Sequence, residues 1–313
     1  MLARLGAWLM AMLPQHGLSR CMHGVARWHW RPAKQLLIRA FCRYAGIDLT
    51  EAAIQDPADY PSLNALFTRA LATGKRPIEA TADAFVSPID GALSEFGDIH
   101  EGELIQAKGQ RYDLSSLLAG DPQLAAPFEA GRYATLYLSP RDYHRVHMPV
   151  TGELEQIIHV PGRLFGVSAP VVRHVPRVFA RNERVITVFE TAFGPMAMVL
   201  VGAIGVGSIE TIWTGEITPP RGQRVRSWDF RSEPPVLPMG AEMGRFNLGS
   251  TVILLLPADA VDWAPSLTPT MPLRMGQRLG QCHRRADALD DSGVWPVESH
   301  HLGDGVNPGS QGE

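Results

Sequence analysis

The sequence predicts an α+β chain: a β-rich, mostly antiparallel, barrel-like or sandwich body behind an N-terminal helical segment. Three observations carry this. From about residue 84 onward, short β-like runs alternate with turn residues in a chain holding 30 Gly and 25 Pro, the punctuation of strands rather than of a helical bundle. Residues 2–13 place Leu2, Leu5, Trp8, Leu9, Met12 and Leu13 at helical spacing. A length of 313 residues, 45% of them hydrophobic, allows one large or two small domains with a substantial core. The expected divisions are a basic amphipathic helical region over 1–80, a β-rich domain over 81–289, and a disordered, Gly-rich polar tail over 290–313.

The first helix has Pro14 as its expected stop. A signal peptide is disfavoured: no small-residue cleavage site follows the apolar segment, and Arg20 precedes Cys21. Trp28, Trp30, Leu36, Leu37, Ile38 and Phe41 continue the apolar character. Residues 1–47 carry Arg4, Arg20, Arg27, Arg31, Lys34, Arg39 and Arg43 with no Asp or Glu, formally +7 against −10 for the remainder. A basic, aromatic end on an acidic body fits a helix pair lying in the interface of an anionic membrane. Ordinary packing onto the body is the alternative, and nucleic acid ranks low because no recognition module accompanies the charge. No apolar run approaches the length of a membrane span. Cys21, Cys42 and Cys282 are odd in number and widely spaced, so neither a disulfide framework nor a zinc pattern follows, and a reducing compartment is expected.

Tyr60 to Arg69 reads as a loop into a short helix with Ser62 as N-cap. Strands are expected at Phe85–Val86, Gly91–Phe96, Glu103–Ala107, Thr135–Leu138, Gly152–Val160, Val185–Glu190, Met196–Val201, Ser208–Trp213 and Thr251–Leu256. Ser87-Pro88-Ile89-Asp90-Gly91 puts a carboxylate beside a glycine at a turn. In Ser139-Pro140-Arg141-Asp142-Tyr143-His144-Arg145-Val146-His147-Met148-Pro149, a capped turn leads into extended chain, with His144 and His147 at the passage, a common place for exposed functional side chains. Two His with Asp90 could also complete a zinc site. Phe179 to Val185 packs four polar residues ahead of a strand. The Gly-laced run Val201 to Ile209 lacks the helix a nucleotide fingerprint needs, and reads as close backbone packing in a barrel. Met243 to Thr251 forms a bend before five aliphatics, Val252 to Leu256. There Gly249 leaves its carbonyl open to attack, and Ser250 carries a hydroxyl one residue on.

Taken in this order, Phe67-Thr68-Arg69, Ser87 to Gly91, Tyr143 to His147, Phe179 to Val185, the Gly-laced run and Leu248-Gly249-Ser250-Thr251 resemble the bacterial, pyruvoyl-dependent phosphatidylserine decarboxylases. The likeness spans roughly residues 60–280. It departs at Gly166 and Ser168, where the family often has Ser and Asn. The resemblance implies a proenzyme that cuts itself between Gly249 and Ser250, giving a β chain over 1–249 and an α chain over 250–313 capped by a pyruvoyl group made from Ser250.

Physically, Ser250 Oγ attacks the Gly249 carbonyl, turning amide into ester. A hydroxyl needs a base. His147 is the candidate base, with Asp90 holding its tautomer. Loss of the Ser250 Cα proton expels the ester carboxylate, and hydrolysis of the dehydroalanine releases ammonia. The pyruvoyl group would form a Schiff base with phosphatidylserine and act as the electron sink for loss of CO2, giving phosphatidylethanolamine. His144 is the expected proton donor to Cα. No metal is expected. Family likeness also implies a dimer of αβ units; the expected location is the cytoplasmic side of the cell membrane, as a peripheral protein. The runner-up is a zinc hydrolase built on Asp90, His144 and His147; a third reading is a non-catalytic lipid-binding barrel.

Overall fold

The computed structural model describes residues 14–79, 81–107, 109–205, 208–218, 224–247 and 250–284. The expected helix over 2–13, the tail over 290–313 and Gly249 itself lie outside the described residues.

The run of aliphatics after Ser250 becomes strand Ser250–Leu256, the middle of a nine-stranded sheet. Its order is Arg226–Asp229, Gly152–Val160, Arg184–Thr191, Met196–Val201, Ser250–Leu256, Arg132–Leu138, Gly91–Asp98, Pro272–Leu273, with Val236–Leu237 joining Gly152–Val160. Every pairing in it is antiparallel. Val252, Leu254 and Leu256 face one hydrophobic core, and Ile253 and Leu255 face a second. Burial on both faces explains an unbroken apolar run where a half-exposed strand would alternate.

The sheet is antiparallel and β-rich as expected, but it is open. It ends at Arg226–Asp229 and Pro272–Leu273 rather than closing, so the barrel-like expectation is not met. Beside it lies a smaller antiparallel sheet in the order Gly215–Glu216, Ile209–Thr211, Glu242–Phe246, Arg145–His147.

Two helices, Gln15–Ala26 and Arg31–Ala45, precede the body. The helix that Pro14 is expected to stop lies outside the described residues; Pro14 itself stands at the start of the next one. It caps the start of Gln15–Ala26, where its missing N–H goes unneeded and its carbonyl accepts from Leu18. Both helices dock through one face. Ile38 packs with Tyr60 and Leu66, and Ala26 with Phe67. Gln15 Oε1 accepts from Leu164 N at 2.9 Å, and Lys34 is buried with its Nζ donating to Ala58 O at 3.1 Å. The outer face leaves Trp28, Trp30, Leu36 and Tyr44 exposed among exposed Arg20, Arg31, Arg39 and Arg43. Arg27 is paired with Glu216 at 2.8 Å. The basic surface is therefore smaller than the formal +7, because Lys34 and Arg27 are engaged by the body. No described helix is long and apolar enough to cross a membrane.

Candidate active site

The bend before Ser250 and the turn carrying His144 connect the same two pairs of strands. On one side Ser250 pairs with Leu138; on the other, Phe246 N donates to His144 O at 3.0 Å. The turn Ser139–His144 and the bend after Phe246 therefore lie side by side at one end of the central strands. The turn is tied locally, as its sequence suggested: Asp142 Oδ2 accepts from Ser139 N at 2.7 Å, and Asp142 N donates to Ser139 O at 2.9 Å. The bend is tied by Asn247, whose N donates to Ser208 O at 2.8 Å and whose Oδ1 accepts from Asn64 Nδ2 at 3.0 Å.

Ser250 is fully buried, and its Oγ has no hydrogen-bond partner among the described residues. His144 is equally buried, and its Nε2 likewise lacks a partner among them. The expectation of exposed histidines is thus corrected: the Phe67 ring at the end of the helix Leu63–Phe67 lies 4.0 Å from that of His144, and the Tyr143 ring stacks 5.6 Å from that of His147. Ser62 caps that helix as expected, accepting from Ala65 N.

Hydrogen-bond roles follow from what the partners can do. His144 Nδ1 faces the carbonyl of Asp142 at 2.8 Å, which can only accept. Nδ1 therefore carries the proton, and Nε2 of the neutral ring presents an open lone pair. Burial pushes the His144 pKa down to about 3, against the Asp142 hydrogen bond and with the help of the Arg69 charge. His147 Nδ1 likewise donates to Gly240 O at 2.8 Å, so its Nε2 accepts from the Tyr143 hydroxyl at 2.9 Å. Burial lowers the His147 pKa and raises that of Tyr143, which keeps the phenol protonated.

Asp90 does not hold His147, contrary to the expected triad contact. Its carboxylate accepts from both Arg76 Nε and Nη2, and from Met275 N at 2.8 Å; Arg76 in turn reaches Glu51. Gly240 O, not Asp90, fixes the tautomer. Asp90 still favours the imidazolium of His147 through its charge. Gly91 is needed beside it because a Cβ there would lie 2.2 Å from the Tyr137 carbonyl. Among the described residues, no three His, Cys, Asp or Glu side chains could hold a metal ion together. Of the residues in the zinc-hydrolase alternative, Asp90 and both His147 nitrogens are engaged by other protein groups.

Sequence reading singled out Asp90, His144, His147 and Ser250. Phe67 and Arg69 stand in a motif to which the sequence assigns no role, and Tyr143 directly precedes His144. Gly240, Arg76 and Asn247 were missed, since only long-range pairing brings them here. The departing loop at Gly166 and Ser168 is held from behind: the Asn182 carboxamide bonds both backbone groups of Phe165.

The buried histidine has a measurable consequence. The folded-state pKa of His144 is depressed from 6.5 to about 3, so its contribution to stability is present above about pH 6.5 and is lost as pH falls toward 3. The melting temperature is expected to drop on acidification below pH 6.5, with a shallower slope in His144→Gln; equal slopes by scanning calorimetry would contradict this.

The family model described as phosphatidylserine decarboxylase matches residues 63–281, and a second, described as PSD, matches residues 5–44. A phosphatidylserine decarboxylase proenzyme of Nitrosococcus oceani is 50% identical over 283 residues, covering 89% of this chain and 92% of the relative. That of Azotobacter vinelandii is 50% identical over 86% of this chain and 95% of its own length. That of Bordetella avium is 48% identical over 86% of this chain and 91% of its own. This chain belongs to the phosphatidylserine decarboxylase family, and is thereby a carboxy-lyase.

Proposed function

We propose that the chain cuts itself between Gly249 and Ser250 and then decarboxylates phosphatidylserine to phosphatidylethanolamine with a pyruvoyl group made from Ser250. The observation that carries this is the pair of buried polar atoms, Ser250 Oγ at the strand end and His144 Nε2 on the neighbouring turn, that have no partner among the described residues. A fully buried hydroxyl without a partner costs free energy that a structural serine would avoid. A group made from Ser250 itself fits this place, because it needs no separate binding pocket.

The chain's own residues divide the work. Ser250 Oγ attacks the Gly249 carbonyl carbon, the Oγ proton goes to a base, and the C–N bond breaks as the Ser250 nitrogen takes a proton. His147 is the base, assisted by the charge of Asp90; it can receive that proton only by releasing the Tyr143 hydroxyl or through it. The pyruvoyl group supplies the electron sink for loss of CO2. His144 Nε2, without a partner among the described residues, takes a proton from the incoming substrate ammonium and returns it to the substrate Cα in place of CO2. Phe67 keeps water from the ring.

The α chain, 250–313, and the β chain, 1–249, stay together, and two such units form a dimer. The chain works from the cytoplasmic side as a peripheral membrane protein, divided into the helical region over 1–80, the catalytic body over 81–289 and the tail. Intact mass spectrometry of purified protein tests the reading. Two chains are expected, the shorter of 64 residues with a blocked, pyruvoyl-bearing start. A single unbroken chain that still releases CO2 would overturn it.

The exposed Trp30, Leu36 and Tyr44 supply the membrane contact, with nearby arginines each worth about 1 kcal/mol at an anionic surface. Replacing these three by Ser is expected to reduce flotation with anionic vesicles while leaving maturation intact. Unchanged flotation would assign the helices to packing alone.

A further inference from the structure

Arg69 stands two residues after Phe67, the ring that lies on His144. It is 5% exposed, yet its guanidinium makes one protein hydrogen bond, from Nη2 to the Arg141 carbonyl at 2.8 Å. Its Nε and Nη1 have no partner, and no carboxylate pairs with it, among the described residues. Other buried guanidinium groups differ. Arg184 gives hydrogen bonds to the carbonyls of Ser116, Leu117, Ala180 and Asn182, and Arg76 is held by Asp90 and Glu51. The acids in the field of Arg69 are spoken for: Asp142 caps its own turn, and Asp90 belongs to Arg76. Burial makes its charge harder to keep. A buried cation without a counter-ion is expensive, and an arriving anion removes the expense. On the same turn, the Ser139 hydroxyl is also buried without a partner among the described residues.

We infer that Arg69 is a substrate-binding residue that captures the phosphodiester of the lipid headgroup. This rests on the functional reading above and deepens it. Phosphatidylserine offers two anions, and the reaction distinguishes them. A guanidinium clamped on the departing carboxylate would stabilise the ground state against loss of CO2. The phosphodiester persists unchanged, so its binding energy can hold the reacting end against His144 throughout. The placement agrees. Phe67, two residues before Arg69, packs between Phe41 of the helix Arg31–Ala45, with ring centres 5.9 Å apart, and His144, 4.0 Å away. That helix carries the exposed Leu36 and Tyr44.

The test uses Arg69→Gln and Arg69→Lys, the latter keeping charge but losing the planar fork. Both are expected to mature into two chains. KM for phosphatidylserine in mixed micelles should rise about 10- to 100-fold in Arg69→Gln, as for loss of hydrogen bonds to a charged group. Arg69→Lys should show a smaller rise, and kcat should change far less in both. Binding of glycerophosphoethanolamine, which has the phosphodiester but no carboxylate, should weaken by a like factor in calorimetry. An unchanged KM overturns the inference. A raised KM with unchanged glycerophosphoethanolamine binding also overturns it, by moving the contact to the carboxylate. Failure of both variants to mature would make Arg69 part of folding or cleavage instead. The binding arm needs no turnover, so a wild-type protein that binds this probe through Arg69 but releases no CO2 would sink the functional reading and leave the inference standing.

Discussion

Ser250→Ala is expected to remain a single 313-residue chain and to release no CO2 from phosphatidylserine. Both losses come from one atom. Without Oγ, nothing at this position can attack the Gly249 carbonyl, and no ketone can be made there to accept electrons. The substitution should be tolerated structurally, since Ser250 Oγ bonds nothing among the described residues and its backbone pairing with Leu138 does not depend on the hydroxyl. Removing an unsatisfied buried hydroxyl should leave thermal stability equal or higher. A denaturing gel and a CO2-release assay check the first expectation. Two bands from Ser250→Ala would remove Ser250 from the chemistry.

His144→Ala is expected to mature but to decarboxylate about 10²- to 10⁴-fold more slowly, the usual contribution of a positioned acid–base group. The reasoning rests on its open Nε2, the only ring nitrogen of the two histidines without a hydrogen-bond partner among the described residues. Because the Asp142 carbonyl fixes the other nitrogen as the donor, His144 must collect a proton before it can give one. Its resting neutrality at pH 5–8 follows from a pKa near 3. A fully active, cleaved His144→Ala protein would take His144 out of the mechanism. One that fails to mature would instead place His144 in the cleavage step, where Nε2 would serve Ser250 directly.

What could be read from the amino-acid order depended on how local the cause was. Strands Gly152–Val160 and Met196–Val201 were legible to the residue, because their apolar content is dense and Gly or Pro stands close by. Ser62 declared its helix through a side chain that needs nothing distant. The extended chain at His147 was legible as the strand Arg145–His147, but its partner Glu242–Phe246 escaped notice because it contains charged residues and their pairing is secured by an ion pair, Arg145 to Glu242 at 2.8 Å, across 97 positions. Barrel closure was not legible at all, since it depends on whether strands far apart, such as Arg226–Asp229 and Pro272–Leu273, meet. At the site, the histidine pair His144 and His147 was visible by type and spacing, whereas Asp90 and Ser250 read as ordinary turn residues until the order of motifs and its family resemblance gave them roles. The Asp90–His147 contact did not follow, because Arg76 and the Gly240 carbonyl compete for the two partners and neither belongs to a motif.

Strand Ser250–Leu256 is hydrogen-bonded to Arg132–Leu138 on one side and Met196–Val201 on the other. Downstream, Pro272–Leu273 and Arg278–Cys282 pair with Gly91–Asp98 and Ala84–Val86. The proposed cut just ahead of Ser250 would therefore sever the polypeptide without releasing either fragment, the two staying interlaced like two combs. Assembly from the intact precursor is unimolecular, whereas fragments parted by denaturant must find each other again by diffusion. Recovery of matured protein after unfolding should accordingly depend on its concentration, and that of the uncut precursor should not.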